Sequence, residues 1–448
     1  DGFHYQAPEL SLLKHESGKD EDRARKLQYS VKWRPEFSKA IKADEDIYLI
    51  DPHKTSDLFE SYGQEWKDLY DKYTKNPHIH KRKYNARELA HNFTVTTAET
   101  GNLYYFFPDN ANEQDIGAGH IPASNLCQEM MMSYDPIEQT YSKLTGSESS
   151  FSFSGDIALC NLASINLMAW SKLATPQDKF RFMYLLVRSA DNAIDNSFYI
   201  NPLGKKHSEN HRNLGIGTSN YANFLASNKA LWNSSEARRL THELYEELSF
   251  YAIKSSIELA KEKSRCPVFN ETKWAQGLFP HELSKLSKLE SNLNYPLLMD
   301  WESLRPDLLK YGIRNSRLLA IAPTATSGKV INATEGVDAP RRFKKIEEGT
   351  YSLPFVVPNL RENREYYQLM FSIANKDVIE LAAIRQKFLC MGQSVSLAYE
   401  SLTSSHEHVS NILLAEELGL KTIYYSYTKK ASLDEGEEDE EECEACGS

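Results

Sequence analysis

The 448-residue chain is 41% hydrophobic and 26% charged, enough for a large core in two or three domains or one big α/β barrel with extensions, and too apolar for disorder. Its formal net charge of −11 is concentrated in residues 431–448, which hold nine acidic residues and no Lys or Arg, so the nearly neutral body offers no basic face for nucleic acid. No run of about eighteen apolar residues occurs and DGFHYQAPEL has no basic-then-apolar leader, pointing to an unexported, cytoplasmic protein, while six cysteines are too sparse for a disulfide framework.

Residues 1–95 read as a mostly helical, charged region. Within it SDLFESYGQEWKDLYDKYTKN (56–76) sets Leu58, Tyr62, Trp66 and Tyr70 at helical spacing, a core-facing stripe. HIH at 78–80 reads as a solvated turn. From Phe93 the texture changes to β-rich runs such as FTVTT and NLYYFF between loops and long helices, the pattern of an α/β region over residues 96–430. YSKLTGSESSFSFSGD (141–156), with six serines and two glycines, reads as a surface loop. HSENH (207–211) places two histidines four apart but lacks the metalloprotease order, and reads as another solvated turn. Asn233, with Glu236 three residues on, is the expected cap of a helix with Ala237, Leu240, Leu244, Leu248 and Tyr251 on one face. HVSNILLAEELGL predicts a helix ending at Gly419, and KTIYYSY a strand that delivers Tyr424 and Tyr425 together. Residues 431–448 cannot build a core and read as a flexible acidic tail.

Chemistry-bearing residues punctuate this pattern. In SNLCQEM, an extended backbone alternates faces, so Asn125, Cys127 and Glu129 converge: an amide, a thiol and a proton acceptor. A buried cysteine in a short polar turn is the plainer reading of the same residues. Cys160, in ALCNLASINL, ends an apolar run, the usual place of a small buried hydrophobe. APTATSGKV (322–330) offers hydroxyls, and backbone N–H groups able to cradle a phosphate if a helix starts there, but it lacks the Gly-Lys of a P-loop. Cys443 and Cys446 form a CxxC with no second ligand pair nearby, better suited to dithiol–disulfide cycling than to zinc.

In order, SNLCQEM, LCNLASINL, NLGIG (213–217), APTATSG followed by INATEG, KTIYY and a terminal CxxC resemble the catalytic part of class I ribonucleotide reductase large subunits, over nearly the whole chain. The resemblance implies an α/β fold: the carboxy-terminal part of a ten-stranded α/β barrel with a finger loop, preceded by the helical region and followed by the redox-active tail. It implies that Cys127 becomes a transient thiyl radical abstracting the 3′ hydrogen of a ribonucleotide, that Glu129 takes the 3′-OH proton, and that Asn125 fixes substrate and carboxylate. Cys160 matches one of two reducing cysteines, Tyr424 and Tyr425 the tyrosine pair that relays the radical, and Cys443 and Cys446 the tail dithiol. Ser124, Thr324, Ala325, Thr326 and Ser327 match substrate-binding positions, the last four on the phosphate loop. No metal or cofactor is expected on this chain. The radical is implied to come from a metal-containing small subunit, the electrons from thioredoxin or glutaredoxin, and the substrate to be a ribonucleoside diphosphate.

One departure stands out. The family's second reducing cysteine lies upstream of the finger loop, yet residues 1–124 hold no cysteine, and Cys266 and Cys390 read as core residues. The chain is therefore expected to be inactive alone and completed by an upstream large-subunit chain bearing that cysteine and the effector sites, whether as a truncation or as half of a split, phage-type subunit. Two alternatives remain: a glycyl-radical-type reductase, against which stands the lack of an RxxGY-type loop, and a non-catalytic remnant or assembly partner, against which stand the retained site residues.

Overall fold

The computed structural model describes residues 1–15, 17–101, 103–143, 149–347 and 353–429; Cys443, Cys446 and the acidic tail lie outside the described residues. Its centre is an open array of extended segments. Leu162–Asn166 pairs in parallel with Gly215–Ser219, Ile216 bridges Leu319, and Ile321 bridges Gln393. Tyr424 N donates to Val395 O at 2.9 Å, Thr422–Ile423 runs antiparallel to Leu103–Phe106, and that strand runs parallel to Tyr29–Lys32. The end segments do not pair with each other, so no closed barrel forms among the described residues. Gly217 makes one crossing possible: a Cβ there would sit 2.6 Å from Ala320 O and 2.9 Å from Ile321 Cα.

Helices cover the array. Ser235–Lys263, packed against Pro176–Asn196 and Asn375–Gln386, buries Ala237, Leu244, Leu248 and Tyr251 as the sequence pattern requires. Its cap is Ser234, one residue beyond the expected Asn233, and the Ser234 hydroxyl accepts from Ala237 N at 3.0 Å. A second core joins Phe3, Trp33 and Phe37 to Ile384, Ile412 and Ile423, so both ends of the described chain share one apolar interior. No helix among the described residues is long and apolar enough to cross a membrane.

Several segments differ from their local reading. FTVTT lies inside the helix Ala86–Thr100, because Asn85 caps it and threonine hydroxyls bond back into the turn, Thr97 Oγ1 donating to Phe93 O at 2.9 Å and Thr96 Oγ1 to Asn92 O at 3.1 Å. The stripe at 56–76 is split into helices Ser56–Glu60 and Gly63–Lys75, since Gly63 takes a φ of 61° and gives its N–H to Asp109 Oδ1 at 2.8 Å. The region up to residue 95 also carries strands, Tyr29–Lys32, Asp46–Ile50 and Lys81–Asn85. Part of the serine-rich stretch is an antiparallel hairpin, Gln139–Lys143 with Ser149–Phe153. HSENH is the end of a helix, Pro202–His211, with both histidines buried rather than solvated.

Candidate active site

The residues of SNLCQEM converge, but not by strand alternation. Ser124 bridges Met131 across a tight turn in which Gln128 N donates to Asn125 O at 3.1 Å and Gln128 adopts a φ of 68°. Asn125 organises that turn. Its Oδ1 accepts from Glu129 N at 3.0 Å and Met130 N at 2.9 Å, and its Nδ2 donates to Glu129 Oε1 at 3.0 Å. An amide can do all three at once because it is donor and acceptor on one rigid plane.

The turn rests on the segment around 391–395. Gly392 N donates to Glu129 O at 2.8 Å, and a Cβ on Gly392 would meet Met131 Cε at 2.8 Å. Ser394 Oγ lies 2.5 Å from Cys127 O and 3.2 Å from Glu129 Oε2, and Thr422 Oγ1 donates to Gln128 O at 2.8 Å. Glu129 is 1% exposed. Burial pushes its carboxyl pKa up, against the pull of the Asn125 amide, its own backbone N–H and Ser394. Cys127 is half-buried; burial and the Glu129 charge raise its thiol pKa, while a hydrogen bond from Tyr424 opposes them.

Tyr424 and Tyr425 sit where the expected strand breaks, between Thr422–Ile423 and Ser426–Thr428. That break puts two successive rings on one side, 4.0 Å apart between centroids, instead of on opposite faces. Tyr104 packs against both, at 5.0 Å and 5.5 Å, close enough for its hydroxyl to act electrostatically on theirs. Burial, then Tyr425 and Cys127, hold the phenols of Tyr104 and Tyr424 well above the ordinary tyrosine range, so both stay neutral. A file of hydroxyls thus leads from Tyr425 through Tyr424 towards the Cys127 thiol, each near enough to shift the pKa of Tyr424.

Cys160 reaches the same site from the segment before Leu162–Asn166. Its thiol opens onto a cavity yet is enclosed at longer range, and burial, then Glu129, then Cys127 push its pKa up to about 11. The cavity, about 500 Å³, is lined by Ser124, Asn125, Met132, Tyr134, Asp156 and Cys160. Cys266 and Cys390 are buried in the hydrophobic core. In the phosphate-loop candidate a helix does start, Ala325–Val330, leaving the segment next to the one that carries Ser394. Ala325, Thr326 and Ser327 are exposed, whereas Thr324 is buried and its Oγ1 accepts from Gly336 N at 2.7 Å. Tyr104, Ser394 and Thr422 were not singled out by sequence; the tyrosine-rich NLYYFF was the one available signal, since a lone Ser or Thr in a strand carries none.

A profile for the ribonucleotide reductase barrel domain matches residues 1–426. The chain belongs to this family. Ribonucleotide reductase barrel-domain relatives include the ribonucleoside-diphosphate reductase subunit alpha of Buchnera aphidicola subsp. Schizaphis graminum, 32% identical over 96% of this chain and 57% of its own length. The corresponding subunits of Enterobacteria phage T4 and Escherichia coli K12 are 30% and 31% identical, over 99% and 96% of this chain and 59% and 57% of their own lengths. This barrel-domain chain thus spans less than two thirds of the relatives it matches.

Proposed function

We propose that this chain carries the thiyl-radical site of a cytoplasmic ribonucleoside-diphosphate reductase and that its open array is part of a ten-stranded α/β barrel. The observation that carries the reading is the file of hydroxyls from Tyr425 through Tyr424 towards Cys127, beside a buried carboxylate held by Asn125. A radical reaching Tyr425 from a metal-containing small subunit takes a hydrogen atom from Tyr424, and Tyr424 takes one from the Cys127 thiol. Neutral, closely spaced phenols favour this because proton and electron move together. The Cys127 thiyl then abstracts the ribose 3′ hydrogen, forming S–H and a carbon radical. Glu129 takes the 3′-OH proton, its raised pKa making it the better acceptor. The 2′-hydroxyl leaves as water with a proton from a reducing thiol; Cys160 and a second thiol supply two electrons and two protons overall and end as a disulfide. Cys127 returns its hydrogen to C3′ and is again a thiyl.

The second thiol comes from an upstream large-subunit segment that also bears the effector sites. Cys443 and Cys446 re-reduce the disulfide by thiolate attack and are themselves recycled by thioredoxin or glutaredoxin. Ser124 and the loop 324–327 hold the substrate and its diphosphate, and no metal or cofactor belongs to this reaction on the chain itself. The test is deoxyribonucleotide formation by this chain, a radical-bearing small subunit and an upstream large-subunit fragment. Activity in the three-part mixture, abolished by Cys127→Ser and dependent on Cys443 and Cys446 only with a protein reductant, is the expected result. No product in any mixture overturns the reading and favours a non-catalytic role; product with Cys127→Ser overturns the thiyl assignment.

A further inference from the structure

A second cluster lies beyond Cys160. His207 and His211 stand one turn apart on the helix Pro202–His211, their rings nearly parallel at 17° with centroids 4.5 Å apart. Asp156, four residues before Cys160, brings Oδ2 within 3.3 Å of His207 Nδ1, while its Oδ1 accepts from Asp135 N at 3.0 Å. One ligand atom from each of the three lies within 4.8 Å of the others, and all three residues are buried.

Buried polar atoms normally find partners. Here the buried His211 Nδ1 has no hydrogen-bond partner, and His207 Nδ1, on a residue only 1% exposed, meets the Asp156 carboxylate at 3.3 Å without good hydrogen-bond alignment. The surroundings suit lone pairs rather than protons. Burial, the neighbouring imidazole and Arg317 lower the His211 pKa to about 3, and burial lowers that of His207 against the pull of Asp156 and Asp135. Asn213 completes the arrangement. Its amide nitrogen is 3.5 Å from His207 Nε2 and its buried Oδ1 is unpartnered. Exchanging the amide ends lets Oδ1 accept from Nε2–H, which leaves the Nδ1 lone pair free towards Asp156. An outer hydrogen bond of this kind orients metal-bound histidines.

We propose that Asp156, His207 and His211 form a binding site for a divalent transition-metal ion of the Zn²⁺ type, which ties the segment leading into Cys160 to the helix Pro202–His211. Two imidazoles and one carboxylate match a borderline ion at about 2.0–2.2 Å and suit neither Mg²⁺ nor Ca²⁺, which prefer all-oxygen shells. Tetrahedral ligation needs ligand atoms about 3.3 Å apart, the separation already present between Asp156 Oδ2 and His207 Nδ1, so the other distances shorten when the ion binds. Asp156 lines the cavity of about 500 Å³ and His207 one of about 250 Å³, both bounded by Cys160 and both with room for a water.

The experiment uses the full chain with Cys443→Ser and Cys446→Ser, so that the tail dithiol cannot bind metal. After chelator treatment it is titrated with Zn²⁺, quantified by elemental analysis, and with Co²⁺, read by its visible absorption. One equivalent of Zn²⁺ and a low-symmetry, nitrogen- and oxygen-ligated Co²⁺ spectrum are expected. Asp156→Asn, nearly isosteric and still able to accept from Asp135 N, weakens binding by about tenfold or more, and His211→Gln does the same. His78→Gln with His80→Gln, on the exposed surface, changes nothing. Absence of stoichiometric Zn²⁺ in the parent chain overturns the proposal, as does unchanged affinity in Asp156→Asn and His211→Gln with native circular dichroism.

Discussion

Replacing Asn125 by alanine tests whether the turn is built by its amide. The substitution strands the Glu129 and Met130 N–H groups, both on residues about 1% exposed, and removes the donor to Glu129 Oε1. Each buried N–H left without an acceptor costs about 1–3 kcal/mol, and because Asn125 also lines the cavity water can partly replace it, so the expected loss is about 2–4 kcal/mol. Asn125→Asp separates geometry from charge. The carboxylate keeps both N–H bonds but faces Glu129 across the position of the present 3.0 Å bond, so one of the two acids holds a proton. This variant is near wild-type in stability at acid pH and loses about 1.4 kcal/mol per pH unit through the window in which that proton is retained by the folded chain alone. The assay is urea unfolding at several pH values, with hydrogen exchange at the Glu129 and Met130 amides. An alanine variant within about 0.5 kcal/mol of wild type, or with both amides still protected, refutes the reasoning.

Tyr424→Phe removes the hydroxyl that donates to Cys127, so the Cys127 pKa rises further and alkylation at fixed pH slows; Tyr425→Phe leaves alkylation unchanged. In the reconstituted mixture both variants lose turnover, and equal alkylation rates would break the assigned order. Gly217→Ala forces a Cβ to within 2.6 Å of Ala320 O, backbone that cannot rotate away, and costs about 1–3 kcal/mol in thermal unfolding; an unchanged melting temperature contradicts the close crossing. Asp338, partly buried and accepting from Ser396 Oγ at 2.7 Å, has its pKa raised to about 6 from 3.8 by desolvation. The folded chain keeps this proton while the unfolded chain loses it, so wild-type stability falls as pH rises through that window. Asp338→Asn lacks the fall, and its stability relative to wild type climbs by about 3 kcal/mol between roughly pH 4 and 6, then stays level; a flat difference refutes the assignment.

Much of the fold was legible where one physical signal ruled. The long helix from Ser235 announced itself by its apolar spacing, and only the cap shifted by one residue, since Asn233 and Ser234 are both competent and the chain's entry angle chooses. FTVTT was misread because threonine's strand preference is weak beside an Asn85 cap and a buried face. The histidines of HSENH looked solvated because a polar pentapeptide does not reveal that a neighbouring segment will cover it.

By itself, the sequence determined the chemical inventory and its order: the amide, thiol and carboxylate of SNLCQEM, Cys160, the paired tyrosines, and the family they resemble. Only the tertiary structure decided how these groups meet. Asn125 and Glu129 converge through a turn rather than a strand, held by Ser394, Gly392 and Thr422 from more than 260 residues away, and Tyr104 joins the tyrosine pair across an antiparallel register. Local pattern records what each segment can bury or bond. Which of those options is taken depends on groups distant along the chain, because a buried donor or acceptor must be satisfied by whatever the packed fold brings beside it.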